Sequence, residues 1–456
     1  MGAVLTGMVG SEDLRVDSPE AQGLCPAEEG RGRDAAATDK VAAIDELPAR
    51  LRARWGACYA CGMGVGGMVL VELSSTLSDV ARSMGTTETA LSGVFLARGA
   101  GALLGAAVSA RVLFAGGRPG HRALAGTQLL LALFVAAAAF ARAPVLLYAA
   151  WFCVGASAAA LDTGCQIMTR KVRGALAGPW LGLNTVCFAL AAALVPLLEM
   201  MTRDVLATQY LTLAALCVLS AAFVASAPHP EDPAFALALA PRAKPDRAAG
   251  GGGGEHRWVE IALSCSVFCL IGTIVDLTTY IQTYVKASGV TTTGRAPDAL
   301  LVVWVSITLG RLVGLGDQWR LRRHGDGRVY AHAASSLATG ALGMALLAAS
   351  DAQTNSRTFW VGVALYGLGN GPCIGYCYEL LNRLTVASDE GMSIMNVGLN
   401  LGASLVPYIT SKIWASTALS YHAIIWIPFL LMVLPLPFMA LARVAAAHQA
   451  APAAVV

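Results

Sequence analysis

Twelve apolar stretches follow one another along this chain, at about 57–77, 91–114, 123–140, 143–165, 178–200, 205–227, 258–283, 299–316, 329–350, 357–381, 391–413 and 421–443. Each is close to the 20 or so residues that a helix needs to cross a bilayer. Such a succession leaves little choice of fold, because backbone polar groups in hydrocarbon must be satisfied within the segment itself, so each stretch is expected to be a helix. With 56% hydrophobic and 13% charged residues and a mean hydropathy of +0.60, the chain is far more apolar than a soluble domain. The expected fold class is an all-α polytopic membrane protein of twelve transmembrane helices in two six-helix pseudo-repeats. A net charge of +3 over 456 residues gives no sign of a nucleic-acid partner.

The division of the chain follows from where polar sequence gathers. Residues 1–56 read as a largely disordered cytoplasmic tail, since positions 1–54 hold ten acids and seven Lys or Arg without an apolar core. Met1, Gly2 and Thr6 fit the loose N-myristoylation pattern, which is short enough to arise often by chance. Residues 57–227 form the first six-helix half, 228–257 a linker rich in Pro and Ala that ends in Gly250 to Gly254, 258–443 the second half, and 444–456 a cytoplasmic C-terminal tail. With the N-terminus inside, segments on the inner side carry 23 Lys or Arg and those on the outer side carry 7, so both termini are expected in the cytoplasm. Ten of the eleven cysteines lie in apolar runs and read as small hydrophobes. Cys58 and Cys61 make a CxxC with no second pair and no histidine cluster, which argues against a metal or redox site. Gly367, Gly369 and Gly371 precede Pro372 in an apolar run with no phosphate-binding Lys after it. They read as close packing or a break in the tenth span, not as a nucleotide loop.

Two acids stand out because a carboxylate in a spanning segment costs about 2.5–3.5 kcal/mol on insertion scales. Val71, Glu72, Leu73, Ser74, Ser75 in the first span recurs as Val275, Asp276, Leu277, Thr278, Thr279 in the seventh. Two further echoes accompany it. Gly101, Leu103, Gly105 matches Gly310, Leu312, Gly314, and Ala193, Leu194, Val195, Pro196 matches Ser404, Leu405, Val406, Pro407. The three offsets of 204, 209 and 211 link spans 1 with 7, 2 with 8 and 5 with 11, the sign of a repeat-built transporter.

The chain resembles a major facilitator superfamily transporter, and within that superfamily it is most similar to the sodium-dependent glucose transporter-like branch, with fucose-permease-like sugar carriers further off. The residues that carry the resemblance are Gly62 to Leu77 with Phe95, Leu96, Ala97, Arg98, Gly99, Ala100; Gly155 to Gly164 with its Leu161, Asp162, Thr163, Gly164; Gly178, Pro179, Trp180; Ile271 to Tyr284; and Leu309, Gly310, Arg311, Leu312. The resemblance implies a secondary transporter, not an enzyme, in which the first helix of each half lines a central cavity. One departure matters. The loop after the second span, Gly105 to Arg122, lacks the Asp of the usual gate pattern, whereas Gly314, Gly316, Asp317, Arg320, Arg322, Arg323 keeps it, so the inner gate is expected to rest chiefly on the second copy.

Candidate functional residues follow from depth and chemistry. Glu72 and Asp276 are the candidates for ion or proton coupling, with Ser74, Ser75, Thr278 and Thr279 supplying oxygens; a bridge between Glu72 and Arg98 in the neighbouring span is the competing reading. Candidate substrate contacts are Arg98, Asn184, Tyr280, Gln282, Arg311, Asn396 and Asn400, the last two one helical turn apart. Trp304 and Tyr284 are weighed as stacking platforms or as interfacial anchors. Asp162, Asp317, Arg320, Glu379 and Arg383 lie near the inner ends of their spans and read as a cytoplasmic gate. No cofactor is expected, only a transported Na+ or H+. The expected partners are a small-molecule solute and the lipid bilayer, with a sugar the leading solute on resemblance alone. An organic anion steered by Arg98 and Arg311 is the alternative cargo, and a non-transporting receptor or scaffold the alternative class. A monomer in the plasma membrane completes the expectation.

Overall fold

The computed structural model describes residues 48–109, 113–114, 120–173, 177–202, 205–230, 257–321, 325–350, 356–385, 389–416 and 420–450. The N-terminal tail with Gly2, most of the 228–257 linker, Arg322, Arg323 and residues 451–456 lie outside the described residues. The described chain is helical and without strands. The first six spans are built from α1 (Ala49–Ser83), α2 (Glu88–Leu91) with α3 (Gly93–Val108), α4 (Gly120–Ala139), α5 (Pro144–Arg173), α6 (Ala177–Ala192) with α7 (Leu194–Thr202), and α8 (Leu206–Ala225). The last six are α9 (Arg257–Ser288), α10 (Ala296–Leu321), α11 (Asp326–Ala348), α12 (Ser356–Asn370) with α13 (Cys373–Leu384), α14 (Asp389–Ser416), and α15 (Ala423–Leu431) with α16 (Pro435–Ala450).

Among the described residues, eleven stretches are long and apolar enough to cross a membrane as helices. The tenth expected span is the exception, because it is two shorter helices. Proline has no N–H to give the preceding turn, and the chain breaks at Gly371 and Pro372 between α12 and α13. This is the break expected from the glycines there. Span five is interrupted in the same way at Ala193, three residues before Pro196. Pro407 sits inside α14 without ending it. Leu133, Leu219, Val313 and Leu430 point outward, where lipid covers them at no cost.

The glycine echo has one physical meaning in both halves. Gly101 and Gly105 of α3 lie against the carbonyls of Phe152 and Ala156 in α5, while Gly310 of α10 lies against the Leu368 carbonyl in α12, so a β-carbon at any of the three would strike backbone. Spans 2 and 4 in the first half, and 8 and 10 in the second, therefore pack backbone to backbone. Contacts between the halves are also exchanged in pairs. α3 packs on α14 and α10 on α6, which sets span 2 against span 11 and span 8 against span 5, and α1 meets α9.

Candidate functional site

A cavity with about 840 Å³ of atom-free space, part of it open to solvent, lies between the halves. Gly62 to Leu70 of α1 form one wall, and α3, α5, α6, α9, α10, α13 and α14 supply the rest. Most of the lining is apolar, with Met63, Val69, Trp151, Phe188 and Leu399 among it. Its polar groups are few: Arg98, Arg311, Asp162, Gln166, Thr185, Tyr378 and Asn400.

The two arginines are each 5% exposed and each reaches across to the other half. Arg98 of α3 donates from Nη2 to the Ala403 carbonyl of α14 at 2.6 Å and lies beside the Phe95 ring. That carbonyl is available because its helical partner four residues on is Pro407, which has no N–H. Arg311 of α10 donates from Nη1 to the Thr185 carbonyl of α6 and sits over the Phe188 ring. Arg98 Nη1 and Arg311 Nε are buried with no acceptor. Asp162 takes neither arginine; both its oxygens accept from Gln166 Nε2 at 3.1 Å.

Cross-half contacts lie toward both ends of the cavity. Toward the end where Glu88 and Lys412 lie, the Ser74 and Thr279 hydroxyls pair at 2.9 Å, Thr283 donates to Glu88 at 3.0 Å, and Lys412 donates to the Thr89 carbonyl at 3.2 Å. Toward the opposite end, where Arg170, Lys171 and Arg383 gather, Asn396 donates to Thr163 at 2.6 Å and Gln166 to Tyr378 at 3.2 Å. There Gln318 of α10 also fits a slot between Gly182 and Gly375, where a β-carbon on either glycine would overlap its amide. We call these the far end and the basic end.

The structure brings Arg98, Arg311 and Asn400 of the expected substrate contacts to the cavity, and places the other four elsewhere. Asn184 donates to Thr169 within the first half. Tyr280 donates to the Pro407 carbonyl and meets Trp414 edge-on. Asn396 donates to Thr163 and sits beside Asp162 without itself reaching the lining, and Gln282 is off the lining too. Spacing put Asn396 and Asn400 on one face, but only the deeper turn of α14 reaches open space. Trp304 and Tyr284 are buried in the second half, Tyr284 donating to the Ser350 carbonyl at 3.2 Å.

Glu72 and Asp276 do not line the cavity either. Both are within 1% of full burial and turn into the interior of their own halves. Glu72 lies near Glu199 and near Tyr210, whose hydroxyl pairs with Thr76 at 3.0 Å. Both Asp276 oxygens are buried, beside the Thr410 hydroxyl and near Tyr366. A bridge between Glu72 and Arg98 is not formed, because Arg98 turns toward α14 instead. The hydroxyls after each acid do not surround it: Thr278 and Thr279 donate to carbonyls one turn back, and Thr279 and Ser74 meet across the halves.

The expected gate residues divide. Asp162 is on the cavity lining, not at a membrane end. Asp317 accepts from Tyr376 at 2.9 Å and from His332 at 3.0 Å, and Arg383 pairs with Glu379 at 2.7 Å and Asp326 at 3.4 Å. These bonds tie α10, α11 and α13 to one another inside the second half. Among them Glu379 meets the first half, its carboxylate lying against Gly178 of α6. Arg320 shares in interactions at this end. In the first half, where the Asp is missing, Lys171 donates to the Phe114 carbonyl at 2.9 Å and Arg173 stacks 3.6 Å over Trp180. Sequence reasoning missed Gln166, Trp151, Phe188 and Tyr378. Gln166 had a signal, being one helical turn from Asp162 on the same face.

A family model described as Major Facilitator Superfamily matches residues 55–407. No curated protein sequence matches the chain. Among solved structures, the fold is similar to that of the proton:xylose symporter XylE, at TM-score 0.65 and 14% identity over 86% of this chain and 95% of that one. It is similar to the human organic anion transporter MFSD10 at TM-score 0.60 and 14% identity over 86% and 100%. It is also similar to the E. coli fucose:proton symporter FucP at TM-score 0.54 and 14% identity over 86% and 97%. Identities this low show a shared fold.

Proposed function

We propose, on the premise that this chain belongs to the Major Facilitator Superfamily and is a membrane transporter, not an enzyme, that it moves a small polar solute by alternating access through the cavity between its halves. The observation that carries this reading is a cavity bounded by both halves, with separate sets of cross-half bonds at its two ends. Breaking the far-end set exposes the cavity on one side, and breaking the basic-end set exposes it on the other. The two six-helix halves, 57–227 and 258–443, rock as bodies while the 228–257 linker joins them. The basic end faces the cytoplasm by charge bias, which puts both termini inside; a monomer in the plasma membrane is the working assembly.

A sugar or sugar-like solute is the leading cargo. Resemblance to the sodium-dependent glucose transporter-like branch supports it, and so does the presence of the Asn400 and Gln166 amides on the lining. Na+ or H+ drives the cycle through Glu72 or Asp276. Because both acids sit inside their halves, the cation acts by neutralising a buried carboxylate and altering how the first helix of that half packs, not by touching the solute. Each acid stands within two turns of the hydroxyls that seal the far end, so that packing is coupled to the seal.

Uptake of radiolabelled hexoses into proteoliposomes under imposed Na+ or H+ gradients tests this, alongside Glu72→Gln and Asp276→Asn. The expected result is uptake that follows one gradient and loses that dependence in one of the variants. Folded protein that binds a solute without moving it would favour a receptor on the same fold.

A further inference from the structure

The charges on the cavity lining do not balance. Arg98 and Arg311 contribute two guanidinium groups against the single carboxylate of Asp162, which is engaged by Gln166. Among the described residues neither arginine lies within 4.0 Å of a carboxylate. Each guanidinium offers five N–H donors, and each gives one to a backbone carbonyl of the opposite half. Arg98 Nη1 and Arg311 Nε stay buried and unpartnered. Positive charge held this deep in a membrane calls for a counter-charge, and among the described residues no carboxylate pairs with either arginine.

Carbonyl capping explains one donor on each side chain and leaves the charge unanswered. A neutral donor on a long side chain would also cap the Ala403 carbonyl, through a weaker bond. A guanidinium is the group suited to a planar two-oxygen anion, which it binds through parallel hydrogen bonds. The remaining lining fits an organic body: Met63, Leu70, Phe188 and Leu399 provide apolar surface, and Asn400, Gln166 and Tyr378 provide groups for hydroxyls.

We infer that the cargo of this cavity is an organic anion, a small carboxylate-bearing solute such as a sugar acid, whose carboxylate is bound by Arg98 and Arg311. This rests on the transport reading above and narrows it. Since the same two side chains hold α3 to α14 and α6 to α10, a bound carboxylate competes with the Ala403 and Thr185 carbonyls for them. Cargo binding thereby loosens bonds across both the outer and the inner parts of the interface.

The test is equilibrium binding to the full chain in nanodiscs with two matched pairs of probes, D-glucuronate with D-glucose and benzoate with benzyl alcohol, followed by proteoliposome uptake of any probe that binds. The anion of at least one pair is expected to bind at least tenfold more tightly than its neutral partner. Arg98→Gln and Arg311→Gln should each abolish that preference, while Arg98→Lys and Arg311→Lys retain part of it at an unchanged thermal midpoint. A neutral probe bound as tightly as its anion in both pairs overturns the inference. If D-glucose alone is bound and carried, the inference fails and the transport reading stands; if no probe binds or moves, both fail.

Discussion

The bond from Arg98 to the Ala403 carbonyl makes a prediction in which a second substitution repairs the first. Arg98→Met keeps the stem and removes the donor, leaving in the closed form a buried carbonyl that Pro407 has already deprived of its helical N–H. A hydrogen bond to a charged group contributes about 1.5–3 kcal/mol. When the far end opens, water takes over the carbonyl, so the loss falls on the closed form alone. At about 1.4 kcal/mol per factor of ten, the ratio of open to closed far ends should rise about ten- to a hundredfold. Adding Pro407→Ala supplies an N–H four residues after Ala403 and should recover a large part of that shift, whereas Pro407→Ala alone should change little, because a carbonyl has two lone pairs. Spin labels at Ser83→Cys and Ala287→Cys, exposed at the far ends of α1 and α9, report the distance distribution in nanodiscs. Unchanged distances in Arg98→Met, or further opening when Pro407→Ala is added, would refute the capping role.

Other substitutions probe the seals and the packing. Thr279→Val removes the hydroxyl bond to Ser74, and at about 0.5–1.5 kcal/mol it should favour the open far end about two- to tenfold in the same spin-label experiment. Gly101→Val and Gly310→Val force a side chain into backbone and should each cost at least about 1–3 kcal/mol, seen as a lower thermal midpoint, while Gly126→Val meets open space and should not. Glu379→Ala removes the nearer carboxylate of Arg383, which keeps Asp326 and the Leu321 carbonyl, and should lower the midpoint by an amount equivalent to about 1.5–3 kcal/mol; Glu379→Gln, which keeps an acceptor, should lower it less.

What the sequence revealed was set by period and length. Spanning runs, the repeat and the break at Gly371 and Pro372 are local properties of the chain and are visible there. The glycine echo gave the same helix pairing in each half because close approach admits no other residue type. Side-chain direction was harder to read. Glu72 and Asp276 were placed on cavity-lining helices, yet a helix has several faces, and theirs turn into the half-bundles. Arg98 was weighed against Glu72 as a neighbour by depth, but its partner is a carbonyl 305 residues further on, freed by a proline. Gln318 and Tyr378 matter only because of what the opposite half presents to them, and no local pattern marks that.

The central claim is that the two ends of one cavity open in turn, and reversible cross-links test it most directly. Ser74→Cys with Thr279→Cys locks the far end, and Thr163→Cys with Asn396→Cys locks the basic end, each pair replacing side chains already in hydrogen-bond contact. With a solute that the unmodified protein carries into proteoliposomes, oxidation of either pair should stop flux, and reduction should restore it. Flux that persists with either cross-link fully formed would contradict alternating access through this cavity.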